Sequence, residues 1–191
     1  MKKHEKPKSF CYGLTNRCDD GAYILFADYD KIYLEVLLKE LANVYKRFKP
    51  ILTRFAIFES SPRVMTKKGA LGSFHVVSFG KIPYAKMREV LSYMTVDDDF
   101  YRLPKSTAYR TNTLRVSPKF DYKKPDVVLK DAPRFLAWFP LEQGVSGVEV
   151  SNAHLSGYSL YVEDFDPEGL KNYVKDDCFK IELKKYFSRG G

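Results

Sequence analysis

Asp28 and Asp30 close the apolar run Tyr23-Ile24-Leu25-Phe26-Ala27 with two carboxylates spaced two residues apart. Such a run reads as a buried strand, and side chains at i and i+2 of a strand lie on one face. Unpaired buried charge is very costly. Two acids converging at a strand end therefore call for a cation, and a hard divalent ion, Mg²⁺ or Mn²⁺, suits carboxylate oxygens. In nucleotidyl transfer, two such ions stabilise the attacking and leaving oxygens. The competing reading is that the strand ends at the surface and Asp30 caps the following helix.

Three further segments carry chemistry-bearing residues. Lys67-Lys68-Gly69-Ala70-Leu71-Gly72-Ser73-Phe74-His75 is a basic, glycine-containing loop that runs into a strand. Its glycines permit close approach of backbone to a ligand. Lys67 and Lys68 can meet a triphosphate together with backbone amides. Ser73 and His75 share a strand face and can donate to phosphate oxygens, although a single strand histidine is more often a packed residue. Arg110 leads into a second segment, in which Arg115, Ser117 and Lys119 alternate along one face. A row of cations suits phosphate backbone, and a solvated sheet face is the alternative. The third is Asp97-Asp98-Asp99, which follows a helix. Acids at a helix C-terminus oppose its dipole. Asp97 or Asp98 is the candidate third metal carboxylate, against a solvated acidic turn.

The elements that must position these residues are legible from periodicity. Phe10–Leu14 and Tyr23–Tyr29 read as strands. Lys31–Phe48 reads as an amphipathic helix stopped before Pro50. Leu52–Phe58 is a strand, 60–72 a Ser/Pro/Lys/Gly loop, and Ser73–Phe79 a strand. Pro83–Tyr93 is a second helix and Thr113–Ser117 a fourth strand of this series. A charged connection covers 120–133. Phe135–Phe139, Val148–Val150 and Tyr158–Val162 read as further strands, and Pro167–Val174 as a short helix. The order β-α-β-β-α-β is that of a ferredoxin-like, RRM-like α+β core, with added strands forming a second small sheet. Residues 1–9 read as a flexible basic lead-in and 10–191 as one domain, with its core motifs in 22–120 and an extension in 121–191.

The chain has 191 residues and a net charge of +8. That length fits one domain, and the basic balance favours an anionic partner. The charged N-terminus has no apolar segment after it, so it does not read as a signal peptide, and no run is long enough to span a membrane. Three cysteines, Cys11, Cys18 and Cys178, are an odd number and a poor disulfide framework. They read as reduced thiols in an intracellular, cytoplasmic setting. Cys11, Cys18 and His4 make only a weak zinc set.

The order of these motifs resembles that of the archaeo-eukaryotic primase superfamily, the primase-polymerases. Asp28-Tyr29-Asp30 is similar to its Asp-x-Asp/Glu motif and Ser73-Phe74-His75 to its Ser-x-His motif. The stretch through Asn112 and Arg115 to Lys119 is similar to a basic strand found in some members. The resemblance covers about residues 22–120 and departs at the third acid, which in the family ends a core strand. It implies template-directed nucleotidyl transfer. Asp28, Asp30 and an acid from 97–99 would hold Mg²⁺ or Mn²⁺. Ser73, His75, Lys67 and Lys68 would contact a nucleoside triphosphate, and Arg110, Arg115 and Lys119 the phosphates of single-stranded DNA or a primer-template. A helicase or other replication protein is the expected partner. The alternatives are a non-catalytic nucleic-acid-binding module for replication initiation and a divalent-metal nuclease.

Overall fold

Alternate residues of β2 (Tyr23–Tyr33) belong to two different cores. Tyr23, Leu25, Ala27 and Tyr29 face the helices, and Ile24 and Phe26 face the opposite way, into a second apolar layer. This is the two-residue period of a strand buried on both faces. The computed structural model describes residues 7–97, 111–140 and 177–186.

On the helix side, α1 (Leu34–Phe48) buries Leu37, Leu41, Val44 and Phe48, an i, i+4, i+7 stripe. Helix α2 (Tyr84–Leu91) adds Met87, Val90 and Leu91. Both pack on a four-stranded antiparallel sheet that also contains β3 (Phe55–Thr66), β4 (Gly69–Ile82) and β8 (Arg134–Phe139), in the order β2-β4-β3-β8. Helix α1 carries the chain from β2 across β4 to β3, as the β-α-β-β order requires.

A second sheet is built on β1 (Ser9–Thr15). β5 (Thr113–Arg115) and β6 (Lys119–Asp121) pair with it, β7 (Val128–Lys130) pairs with β6, and β9 (Ile181–Tyr186) pairs with β1. Leu14, Leu114 and Val116 share a core with Ile24, Phe26, Ala56, Phe58, Val77 and Phe79 of the first sheet. Fully burying each of the larger side chains here contributes about 1.5–3 kcal/mol. The protein is therefore α+β with two sheets and two helices among its described residues.

Four sequence expectations are corrected. Lys31–Tyr33 extend β2, and the helix begins at Leu34 with no side-chain cap at Tyr33. Asp30 is thus not a helix cap. Residues 60–72 are not a loop, because β3 and β4 form one long hairpin paired as far as Thr66 and Gly69. The strand expected over Thr113–Ser117 stops at Arg115 and pairs with β1 (Gly13↔Arg115, Leu14↔Leu114), which buries Leu114 in the layer between the sheets. Finally, Cys18 and Cys178 are joined in a disulfide across a sequence separation of 160, while Cys11 is a buried free thiol. No helix among the described residues is long and apolar enough to cross a membrane. The strands expected at 148–150 and 158–162, the helix at 167–174 and His4 lie outside the described residues.

Candidate functional site

The inward face of β2 starts with Ile24 and Phe26 in the inter-sheet core and continues with Asp28 and Asp30. The layer between the sheets therefore turns from hydrocarbon to carboxylate along one strand. The backbone departs from regular geometry directly after the acids. Lys31 has φ of 55°, and the β2–β4 register shifts between Tyr29 and Ile32. A left-handed, non-glycine residue costs of order 1–3 kcal/mol, and such strain clusters at ligand sites.

Register brings the first two motifs together. Asp28 lies directly opposite His75 on β4, so the two side chains share a face. His75 Nε2 is 3.6 Å from Asp28 Oδ1, just beyond hydrogen-bond reach. His75 is 3% exposed, and its Nδ1 is buried with no hydrogen-bond partner among the described residues. Burial, then the nearby charges of Arg115, Lys130 and Lys184, hold its pKa well below the usual value. The ring is neutral in the working range and has a single N–H to donate. Ser73 is also buried, and its Oγ accepts a 3.4 Å hydrogen bond from the Lys31 backbone N–H. It braces the bulge beneath the acids.

Asp97, the expected third acid, follows α2. The Asp97 backbone N–H donates to the Asp28 carbonyl at 2.9 Å. Desolvation, the charge of Asp30 and, more weakly, that of Asp97 raise Asp28 to a pKa of about 6, with Lys184 and Lys130 opposing. Asp98 and Arg110 lie outside the described residues.

Two lysines that sequence reasoning did not single out act electrostatically on these acids. Lys130, at the end of β7, is lowered in pKa by burial and then by Arg115, while Asp30 and Asp28 pull it the other way. Lys184, on β9, acts on both Asp28 and His75 and donates to the Thr113 carbonyl. Neither belongs to a sequence motif. Lys130 lies in what read as a charged connection and Lys184 beyond the last helix read from the sequence, and only pairing of the second sheet delivers them.

The remaining expected residues divide. Arg115 is 7% exposed. Its Nη1 donates to the carbonyls of Ser117 (2.7 Å) and Asp131 (2.5 Å), and its Nη2 to that of Ser60 (2.7 Å). It ties the two sheets together while charging the site from beneath. Arg115, Ser117 and Lys119 do not form one continuous strand face. The Ser117 hydroxyl is turned inward, accepting from the Tyr12 N–H and donating to the Pro118 carbonyl. Lys119, on β6, lies over the Tyr186 ring at 3.9 Å. Lys67 and Lys68 form the tip of the β3–β4 hairpin, where the Thr66 hydroxyl bonds the Gly69 carbonyl and Gly69 takes φ of 120°. At about 3.3 Å per strand residue the tip is roughly 20 Å from His75. The structure does not bring these two lysines to Ser73 and His75, and Gly69 serves the turn.

Among the described residues, no three His, Cys, Asp or Glu side chains form a ready-made metal cage. Mg²⁺ is nonetheless commonly held by one or two carboxylates, with waters and substrate phosphates completing its shell. Asp28 and Asp30 supply that donor chemistry, and their mutual repulsion is what a divalent ion relieves. Comparison with protein-family models, with curated proteins and with solved structures finds no match for this chain.

Proposed function

We propose that the protein is a nucleotidyltransferase of the primase-polymerase type, adding nucleotides to a nucleic-acid primer with Mg²⁺ or Mn²⁺. The observation that carries this reading is the pairing of the Asp28/Asp30 face with a ring of cations. Asp28, whose pKa is raised, and Asp30 stand on one sheet, and the charges of Lys130 and Lys184 on the other sheet act on Asp28. Such a centre suits a metal–triphosphate, in which the ion meets the carboxylates and the phosphates meet the lysines. In this reading Asp28 and Asp30 hold the metal, and Asp97 adds negative charge beside it. Neutral His75 positions Asp28 or a phosphate oxygen from below. When bound, the metal supplies charge neutralisation at the transferring phosphate. The chain's own residues contribute positioning and a fixed electrostatic field.

The same fold without turnover, as a nucleic-acid-binding module, has one observation in its favour: the described residues hold no three-ligand set in place. Primer extension with labelled nucleotides and Mn²⁺ tests the two readings. Extension by the wild type that disappears in Asp28→Asn and Asp30→Asn supports the transferase. Binding without extension leaves the module, and shortening of the labelled strand points to a nuclease.

A further inference from the structure

A cleft of about 740 Å³ opens along β6 and β7, and its lining includes Lys130, which interacts electrostatically with Asp28 and Asp30. Its walls include Lys8, Lys119, Lys123 and Lys130 and a single acid, Asp121. Asp121 is already engaged, because its Oδ1 accepts from the backbone N–H groups of Lys123 and Lys124 in a tight turn. Several cations elsewhere are neutralised in place: Lys81 by Asp20 and Asp177, Lys86 by Glu89, Lys180 by Asp19, and Arg63 and Arg134 by Glu59. Among the described residues none of the four cleft lysines is in an ion pair.

We propose that this cleft is the track of a single nucleic-acid strand, whose phosphates pass Lys8, Lys123 and Lys119 in turn and reach the acidic centre at Lys130. The lysines are spread over the start of β1, over β6, over its turn and over β7. A spread row suits the repeated charges of a strand, whereas a triphosphate concentrates its charge at one point. Lys119 lies against the Tyr186 ring, which fixes its ammonium at the cleft wall. The inference rests on the transferase reading for where the strand leads, and on the cleft's own charge for its affinity.

The test is binding of a fluorescent single-stranded oligonucleotide in EDTA, between 50 and 200 mM salt on the order used for such slopes. Lys8 and Lys123 are exposed, so Lys8→Glu/Lys123→Glu leaves the packing intact. The control is Lys39→Glu/Lys46→Glu, which makes the same charge change on exposed positions of α1, across the first sheet. The cleft variant should bind at least about tenfold more weakly than the control, and the slope of log K against log salt should fall by about 0.7 per lysine lost. Equal weakening by both double variants, or cleft variants that bind as the wild type, overturns the proposal. So does loss of nucleoside-triphosphate affinity with oligonucleotide affinity retained. If the wild type extends no primer yet the cleft variant alone loses the strand, the transferase reading fails and the track stands.

Discussion

The backbone N–H of Asp97 donates to the carbonyl of Asp28 at 2.9 Å. That hydrogen bond ties the segment after α2 to the edge of β2 beside Asp28, and the Asp97 charge helps to raise the Asp28 pKa. Asp97→Asn keeps the backbone bond and removes the charge. In the transferase reading it should lower primer extension by roughly 100-fold, the scale set by deleting one preorganised electrostatic group. Glu89→Gln, which alters a surface pair with Lys86 on α2, should leave extension unchanged. Single-turnover extension of the two variants side by side checks this, and equal rates would remove Asp97 from the site.

Asp28 gives the protein an unusual pH dependence. Its folded pKa of about 6 lies above the ordinary value of 3.8. Between those two values the folded state binds more protons than the unfolded state. Stability tied to Asp28 is therefore complete below about pH 4 and is lost as pH rises through 6. Asp28→Asn abolishes that loss. Allowing for the third of the side chain that water still screens (32% exposed), the gain at pH 7.5 is about 1 kcal/mol, or roughly 2–4 °C in Tm. At pH 4 the variant and wild type should melt together. Calorimetry at the two pH values measures the difference, and a variant that is less stable at pH 7.5 contradicts the raised pKa.

A divalent ion should reverse the same penalty. In the transferase reading Mn²⁺ would compete with protons for Asp28, so its binding would require the ionised carboxylate. Saturating Mn²⁺ should raise Tm at pH 7.5 by roughly 5–11 °C, since an ion at 100 times its Kd contributes about 2.7 kcal/mol. The increment should vanish at pH 4.5 and in Asp28→Asn/Asp30→Asn. Ca²⁺ and Mg²⁺ titrations followed by melting would rank the ions. A pH-independent increment that survives in the double variant would place the ion elsewhere.

The sequence displayed the chemistry of one sheet and not of the other. Strand periodicity made Asp28/Asp30 and Ser73/His75 legible as same-face pairs, because both lie on long strands with apolar neighbours. It did not reveal that Asp28 and His75 oppose each other, since register depends on a hairpin whose turn read as a loop. The Pro62, Lys67, Lys68 and Gly69 signals are real, but they mark a twisted, exposed hairpin arm that tolerates them. Lys130 and Lys184 sit on strands of three and six residues, too short for any period to show. The Cys18–Cys178 disulfide spans 160 positions, and neither cysteine has a local partner signal. Arg115 was visible as a cation, but what it holds was not. Its partners are carbonyls, which carry no sequence signature.

That last point yields a stability prediction opposite to the one a phosphate-binding arginine would give. Arg115 Nη1 and Nη2 together satisfy the carbonyls of Ser117, Asp131 and Ser60, and its own charge is already disfavoured by burial. Lysine has a single donor point and cannot span three acceptors in a plane. Arg115→Lys therefore strands at least one buried carbonyl, at about 1–3 kcal/mol, and lowers Tm by several degrees at any pH. A phosphate contact replaced by lysine would instead leave Tm unchanged and weaken oligonucleotide binding. Melting curves and EDTA binding isotherms on the same Arg115→Lys preparation separate the two. A lowered Tm with the folded fraction binding the oligonucleotide normally assigns Arg115 to holding the sheets together, while an unchanged Tm with weakened binding would return it to the ligand.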